Sequence, residues 1–218
     1  SDCVIAGSNF IFKHISENYS EYVPKMKKFL VIFRGINTEY YDPNNINKKD
    51  RSKFFSKLNI EPGKKIILLP GRLTSWKGQE LLIEALNILK TNFGYKNFVA
   101  IILGSDQGRD TYKKKLVRLV EQHRLNNEVI FLEHANSMPI AYSIANVVVS
   151  ASIEPEAFGR VSVEAQSMKK PIIASDIGGS RETIINNRTG LLFKSADPKS
   201  LSEKIDNIFR SDDTTLNA

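Results

Sequence analysis

Glu156 and Glu164 stand eight positions apart in the stretch EPEAFGRVSVEAQSMKKP, residues 154–171, with the bare backbone of Phe158-Gly159 between them. The pattern puts Glu156 in a loop and Glu164 inside a helix that starts near Arg160. On that helix Val161, Ala165 and Met168 recur at helical spacing as a buried stripe, and Glu164 borders it. A carboxylate beside an apolar face is costly unless a partner satisfies it. A second group of candidates is GRLTSWKG, residues 71–78, where Arg72 and Lys77 sit in a turn that opens a helix. A cation at a helix N-terminus is disfavoured by roughly 0.3–1 kcal/mol. Two of them make sense if a diphosphate lies between, since helix N-termini and Arg forks both favour phosphate. Solvated loop cations are the alternative reading of these two residues alone.

Two further turns could contribute. EAFGR, residues 156–160, offers free backbone N–H groups at the start of the next helix. Taken singly, Glu156 is equally a surface loop residue and Phe158 a core contact. SDIGGSRE, residues 175–182, carries a Gly pair that permits close approach by a ligand or by a neighbouring loop. Glu182 there is explained as a favourable charge in a first helical turn. For a nucleotide base and ribose the remaining candidate is the turn Glu133-His134, and His134 is read as structural.

These residues need a frame, and the chain supplies one. From Gly63 onward, short β-branched runs alternate with longer amphipathic ones. Strands are expected at 65–70, 98–103, 128–132, 146–150, 171–175 and 190–193. Helices are expected at 77–92, 111–123, 139–145, 160–169, 180–186 and 198–209, the last with Asp197 as N-cap and Pro198 in its first position. Nearly continuous apolar strands in strict alternation with helices predict an α/β fold with a doubly wound, mostly parallel, Rossmann-like sheet. Ligands of such sheets bind at the carboxyl ends of the strands, where the three turns converge. Residues 1 to about 36 read as a strand, a helix and a strand, and the Asn-rich stretch 37–49 as a linker. The expected division is 1–37, the end of a preceding domain with the start of a linker, and 38–218, the α/β domain itself. Both ends read as cut from something larger.

Composition narrows the partners. The chain has 218 residues, 41% hydrophobic and 25% charged, as in a globular protein with a sizeable core. The net charge of +7 fits an anionic partner, or simply a Lys-rich solvated surface. No basic run interleaved with aromatics appears, so no nucleic acid is expected. The lysine cluster 113–115 reads as one solvated helix face. Cys3, the single cysteine, cannot form an internal disulfide, which fits a reducing cytoplasm. The three histidines show no metal-ligand spacing. Neither G-x-G-x-x-G after a strand, nor a P-loop, nor a serine-hydrolase elbow occurs.

In order along the chain, FRGINTEYYDP (33–43), GRLTSWKG (71–78), LGSDQGRDTY (103–112), NVVVSASIEPEAFGRVSVEAQSMKKPIIASDIGG (146–179) and TGLLF (189–193) resemble the retaining glycosyltransferases of family 4. Those have the GT-B fold of two facing Rossmann-like domains, and the chain resembles the C-terminal, donor-binding one. The form DQGRDTY with PEAFGRVSVEAQ looks most like bacterial enzymes of lipopolysaccharide or other surface-polysaccharide synthesis. The linker departs slightly, reading RGIN at 34–37 where relatives more often have Asn-Gly and an acidic residue.

The resemblance implies a hexosyltransferase-type enzyme that takes a UDP- or GDP-sugar donor and a glycan or lipid-linked acceptor. No metal and no cofactor are implied. Gly71, Arg72 and Lys77 would hold the diphosphate and stabilise it as leaving group. The amides around Phe158, Gly159 and Arg160 would complete the cradle. Glu164 would take hydrogen bonds from the ribose hydroxyls, and Glu156 would orient the transferred sugar. With only the tail of an acceptor domain, the fragment is expected to transfer poorly or not at all. The alternative is a catalytically incomplete nucleotide-sugar-binding module. Lipid-linked acceptors would imply peripheral attachment to the inner face of the cytoplasmic membrane, with which the positive charge is compatible.

Overall fold

A computed structural model describes residues 3–25, 27–108 and 110–212. Arg109 of the 103–112 segment, and the polar tail beyond residue 212, lie outside the described residues. The front piece is a parallel pair, β1 (Val4–Ala6) and β2 (Phe29–Val31), joined by α1 (Asn9–Asn18). Ser8 caps α1 by accepting from the Ile11 amide, and Phe12 stacks on Phe29 at 4.3 Å. Then come a 3-10 turn at Pro43–Asn45 and α2 (Lys48–Ser56). The main unit follows: β3 (Lys65–Pro70), α3 (Gln79–Thr91), β4 (Phe98–Leu103), α4 (Asp110–Gln122), β5 (Val129–Leu132), α5 (Met138–Ile144), β6 (Val147–Ser150), α6 (Arg160–Ser167), β7 (Ile172–Ser175), α7 (Ser180–Thr183), β8 (Leu191–Phe193) and α8 (Pro198–Asp212).

The six strands form one parallel sheet in the order β5-β4-β3-β6-β7-β8. Successive strand residues feed opposite cores, as the period-2 pleat requires. Ile67 and Leu69 of β3 face a core closed by Leu82 and Leu86 of α3, Leu116 of α4, and Leu201, Ile205 and Phe209 of α8. Ile66 and Leu68 face the opposite core, with Tyr142 of α5, Ala165 of α6 and Met168. Both faces are therefore covered, which is why the strands read as unbroken apolar runs. The chain winds outward from β3 through β4 to β5, then crosses back to β6 on the other side of β3. The switch point lies between the carboxyl ends of β3 and β6.

The expected strands are all present, four of them one residue shorter at the start. The helix ends differ for local reasons. Gly78 adopts a left-handed φ of +73° and separates a 3-10 turn, Ser75–Lys77, from α3. Lys77 is thus in the turn before the helix, not in the helix. The helix expected over 180–186 stops at Thr183, because Ile184 turns extended to enter the second core and Asn186 caps the Leu192 amide. Asp197 does cap α8, accepting from the Ser200 amide at 3.0 Å.

The largest departure is the stretch read as a linker. Within 37–49 the chain makes the Pro43–Asn45 turn and then starts α2, capped by Asn47. Tyr41 is buried, and Ile36, Ile46, Phe54 and Phe55 pack on the second core. The sequence KKDRSKFFS has no helical apolar stripe, so periodicity gives no sign of α2.

Candidate active site at the switch point

Gly71 ends β3, and the loop after β4 presses on it: a Cβ on Gly104 would lie 1.9 Å from the Gly71 carbonyl oxygen. The turn that follows is stitched to the loop after β6. The Ile153 amide donates to the Trp76 carbonyl at 2.8 Å, and a Cβ on Gly78 would lie 1.9 Å from the Ala151 oxygen. Glycine is therefore required at Gly78 for contact as well as for φ. This stitching brings Lys77 to Glu156: Nζ lies 2.8 Å from Oε1, with the side chains only 15% and 13% exposed. Ser152 donates its hydroxyl to the same carboxylate oxygen, and the Lys77 ammonium stands 4.3 Å from the centre of the Trp76 ring. Lys77 thus has an intramolecular counter-charge that offsets its place ahead of a helix N-terminus.

Arg72 extends outward from the same turn. Its side chain is exposed, and among the described residues no carboxylate pairs with it. Its carbonyl is held by Gln79 at 2.8 Å, and the fully buried Gln79 is in turn held by the Tyr112 hydroxyl.

The glycine pair after β7 serves the neighbouring loop. The Gly179 amide donates to the Glu156 carbonyl at 2.8 Å, and a Cβ on either Gly178 or Gly179 would collide with the backbone of Glu156 or Phe158. The Glu156–Phe158 loop is braced from behind, and Phe158 is buried under it. Gly159, at φ +80°, is the N-cap residue of α6 and turns the chain into that helix. The amides opening α6 lie beside Glu156 in sequence and follow the usual rule that a first helical turn lacks intrahelical acceptors.

Glu164 is 6% exposed, and the structure gives it partners that the sequence does not reveal. Oε2 accepts from the Tyr142 hydroxyl at 2.8 Å, and Oε1 from Arg160 Nη2 at 2.9 Å. Tyr41 packs edge-to-face against the Tyr142 ring at 6.0 Å and is near enough to feel the Glu164 charge. Burial first, then the Glu164 charge, raises both phenols: Tyr41 to about 12 and Tyr142 well above its usual value. Both are therefore donors at neutral pH. Tyr142 and Ser152 were not apparent from sequence: Tyr142 reaches a carboxylate on a different element, and Ser152 looks like any serine of its loop. His134, read from sequence as structural, is exposed.

The front piece touches this region. Ser8 donates to the Ala157 carbonyl, and the Glu182 carboxylate accepts from the Asn9 amide and side chain at 2.9 and 3.0 Å and from the Phe10 amide. Glu182 caps α1 of the front piece as well as standing in the first turn of α7. A groove of about 340 Å³ lies elsewhere, between α2 and α5, lined by Asp50, Lys53, Phe54 and Ile140 among others. None of the predicted site residues faces it. The switch point is the better candidate because charge, a buried carboxylate and a helix start meet there.

Residues 50–217 match the family described as glycosyl transferases group 1. The chain belongs to that family. A glycosyltransferase from Rickettsia africae has a crystal structure that superposes with a TM-score of 0.87 at 37% identity, covering 96% of this chain and 53% of that one. The Anabaena HepE protein, solved with UDP and glucose, superposes at a TM-score of 0.84 and 26% identity, covering 99% of this chain and 55% of that one. The capsular polysaccharide biosynthesis glycosyltransferase CapM of Staphylococcus aureus is 28% identical over 76% of this chain and 41% of its own length. The chain spans about half the length of the curated relatives it matches. Its doubly wound sheet corresponds to the C-terminal half of the GT-B fold that these group 1 enzymes share.

Proposed function

We propose that this chain is the donor-binding part of a retaining glycosyltransferase of group 1, preceded by the end of an acceptor domain at residues 1–37. The donor is a nucleotide-diphosphate sugar, UDP- or GDP-linked, and the acceptor a glycan or lipid-linked saccharide of a bacterial cell-surface polysaccharide. The observation that carries the reading is the Lys77–Glu156 pair at the switch point, flanked by the free Arg72 on one side and the start of α6, with Glu164, on the other. The HepE complexes with UDP and UDP-glucose support the donor class. CapM supports the surface-polysaccharide setting.

The roles follow from donor counts. An ammonium has three protons. Lys77 spends one on Glu156 and keeps two for diphosphate oxygens, while Arg72 adds a fork. The α6 amides extend the cradle. Glu156, held by Lys77 and Ser152, points a fixed acceptor at the sugar hydroxyls. Glu164 takes the ribose. In the transfer, the bond from the anomeric carbon to the diphosphate oxygen breaks, with its electron pair leaving on that oxygen. The acceptor hydroxyl oxygen bonds to the same face of the carbon, and its proton passes to the departing phosphate. Positive charge placed where the leaving group develops lowers that barrier, with no metal needed.

Among the described residues no helix is long and apolar enough to cross a membrane, and the proposed cytoplasmic location is at most peripheral to one. A titration tests the phosphate roles. Arg72→Ala and Lys77→Ala should each weaken UDP at least tenfold while leaving uridine nearly unchanged. Equal losses for both ligands would remove these residues from the phosphate site.

A further inference from the structure

We propose that Ser8, from the front piece, is a positioning residue for the donor phosphates: its hydroxyl fixes the Ala157–Phe158 peptide at the entrance to α6. This rests on the reading of the amides around Phe158 as part of the diphosphate cradle. The loop that carries Glu156 is held at two successive carbonyls, and the two anchors come from different parts of the chain. The Gly179 amide, in the turn after β7, donates to the Glu156 oxygen at 2.8 Å. The fully buried Ser8 donates its hydroxyl to the Ala157 oxygen. That hydroxyl also accepts from the Ile11 amide at 3.1 Å as the cap of α1, so its direction is set from both sides.

A third set of bonds closes the triangle. Glu182, three residues after Gly179, accepts from the Asn9 amide at 2.9 Å, from the Asn9 side chain at 3.0 Å and from the Phe10 amide. Hydrogen bonds to a carboxylate are the stronger kind, and its charge suits the α1 N-terminus. The start of α1 is thus clamped to the turn that braces the loop, and the clamp delivers Ser8 to Ala157. Peptide geometry carries the effect to the site. A trans peptide is planar, with its C=O and N–H pointing opposite ways. Holding the Ala157 oxygen therefore aims the Phe158 N–H. Among the described residues that amide donates to no protein acceptor, so it is open to a ligand. Without Ser8 the peptide can rotate, and its N–H must be ordered when an anion binds. A donor already oriented avoids that cost. Base and ribose lie outside this effect.

The test is calorimetric titration of wild type, Ser8→Ala, Glu182→Gln and Arg72→Ala with UDP against uridine and with GDP against guanosine. Wild type should bind one diphosphate more than tenfold tighter than its nucleoside, and Arg72→Ala should erode that preference. Ser8→Ala should cut it about fivefold, the worth of one hydrogen bond, through the diphosphate alone, with nucleoside affinity unchanged. Glu182→Gln should act in the same direction by a smaller factor. Thermal melts check folding, and should Ser8→Ala not fold, Glu182→Gln decides by the same criterion. If Arg72→Ala erodes the preference while Ser8→Ala keeps it whole, the positioning role is overturned and the phosphate site stands. Equal weakening of diphosphate and nucleoside in Ser8→Ala means a merely structural serine and also overturns the proposal. If wild type shows no preference, or Arg72→Ala leaves it whole, the reading of the site and this inference fall together.

Discussion

Lys77 and Glu156 are each largely buried, so removing one strands the other without its counter-charge. Lys77→Met should destabilise the fold by about 1–3 kcal/mol, and Lys77→Met with Glu156→Gln should recover part of the loss. Urea unfolding of both variants and of Glu156→Gln checks this, and strictly additive losses would show that the pair is not coupled. The phenols make a separate prediction at high pH. Tyr41 titrates near 10 when unfolded and near 12 when folded, so the folded state holds the proton longer. Its contribution to stability is complete below pH 10 and is lost as pH rises toward 12. Urea midpoints of the wild type should fall across that window more steeply than those of Tyr41→Phe. Glu164 was a candidate from sequence because a carboxylate beside an apolar stripe looks costly, Arg72 and Lys77 because cations at a helix start do, and Glu156 only by its spacing from Glu164. The partners that hold the two carboxylates were not legible. Tyr142 is 22 positions from Glu164, and Ser152 looks like any loop serine.

Among the elements, the strands were readable because both faces are covered, so composition alone marks them. Turns that bend by contact were not. Gly78 reads as an ordinary residue in the first turn of a helix, yet it separates the Ser75–Lys77 turn from α3 and lets it touch the loop after β6. The same holds for the Gly178-Gly179 pair, whose sequence leaves ligand and neighbouring loop equally open. Contact with Glu156 and Phe158 decides for the loop. Gly78→Ala should cost at least about 2 kcal/mol, from the left-handed backbone and the clash with Ala151, and should weaken UDP by displacing Lys77. A Gly78→Ala protein with the stability of the wild type would show that the two loops are not tightly joined. α2 escaped detection for a different reason: its charged sequence is held by the Asn47 cap and by Phe54 and Phe55 against the second core, with no amphipathic period to betray it.

At the scale of the molecule, two sheets of unequal size are tied by few bonds. The main sheet buries both faces. The β1–β2 pair does not, and Ile5, Leu30, Ile32 and Phe33 are exposed on and just after it. Two strands cannot build a core of their own. What holds the pair to the main unit includes the α1 N-terminus, bonded to Glu182 and Ala157 beside the proposed sugar site. Part of the positive charge is paired locally: Lys113, Lys114 and Lys115 of α4 pair with Glu133, Asp110 and Glu80. The account as a whole rests on the switch point being a nucleotide-sugar site. Calorimetric titration of the wild type and of Glu164→Ala with UDP-glucose and GDP-mannose tests this most directly. The account predicts saturable one-site binding of one donor by the wild type, and its loss in a folded Glu164→Ala protein. Unchanged affinity in that variant, or no binding of either sugar nucleotide by the wild type, would contradict it.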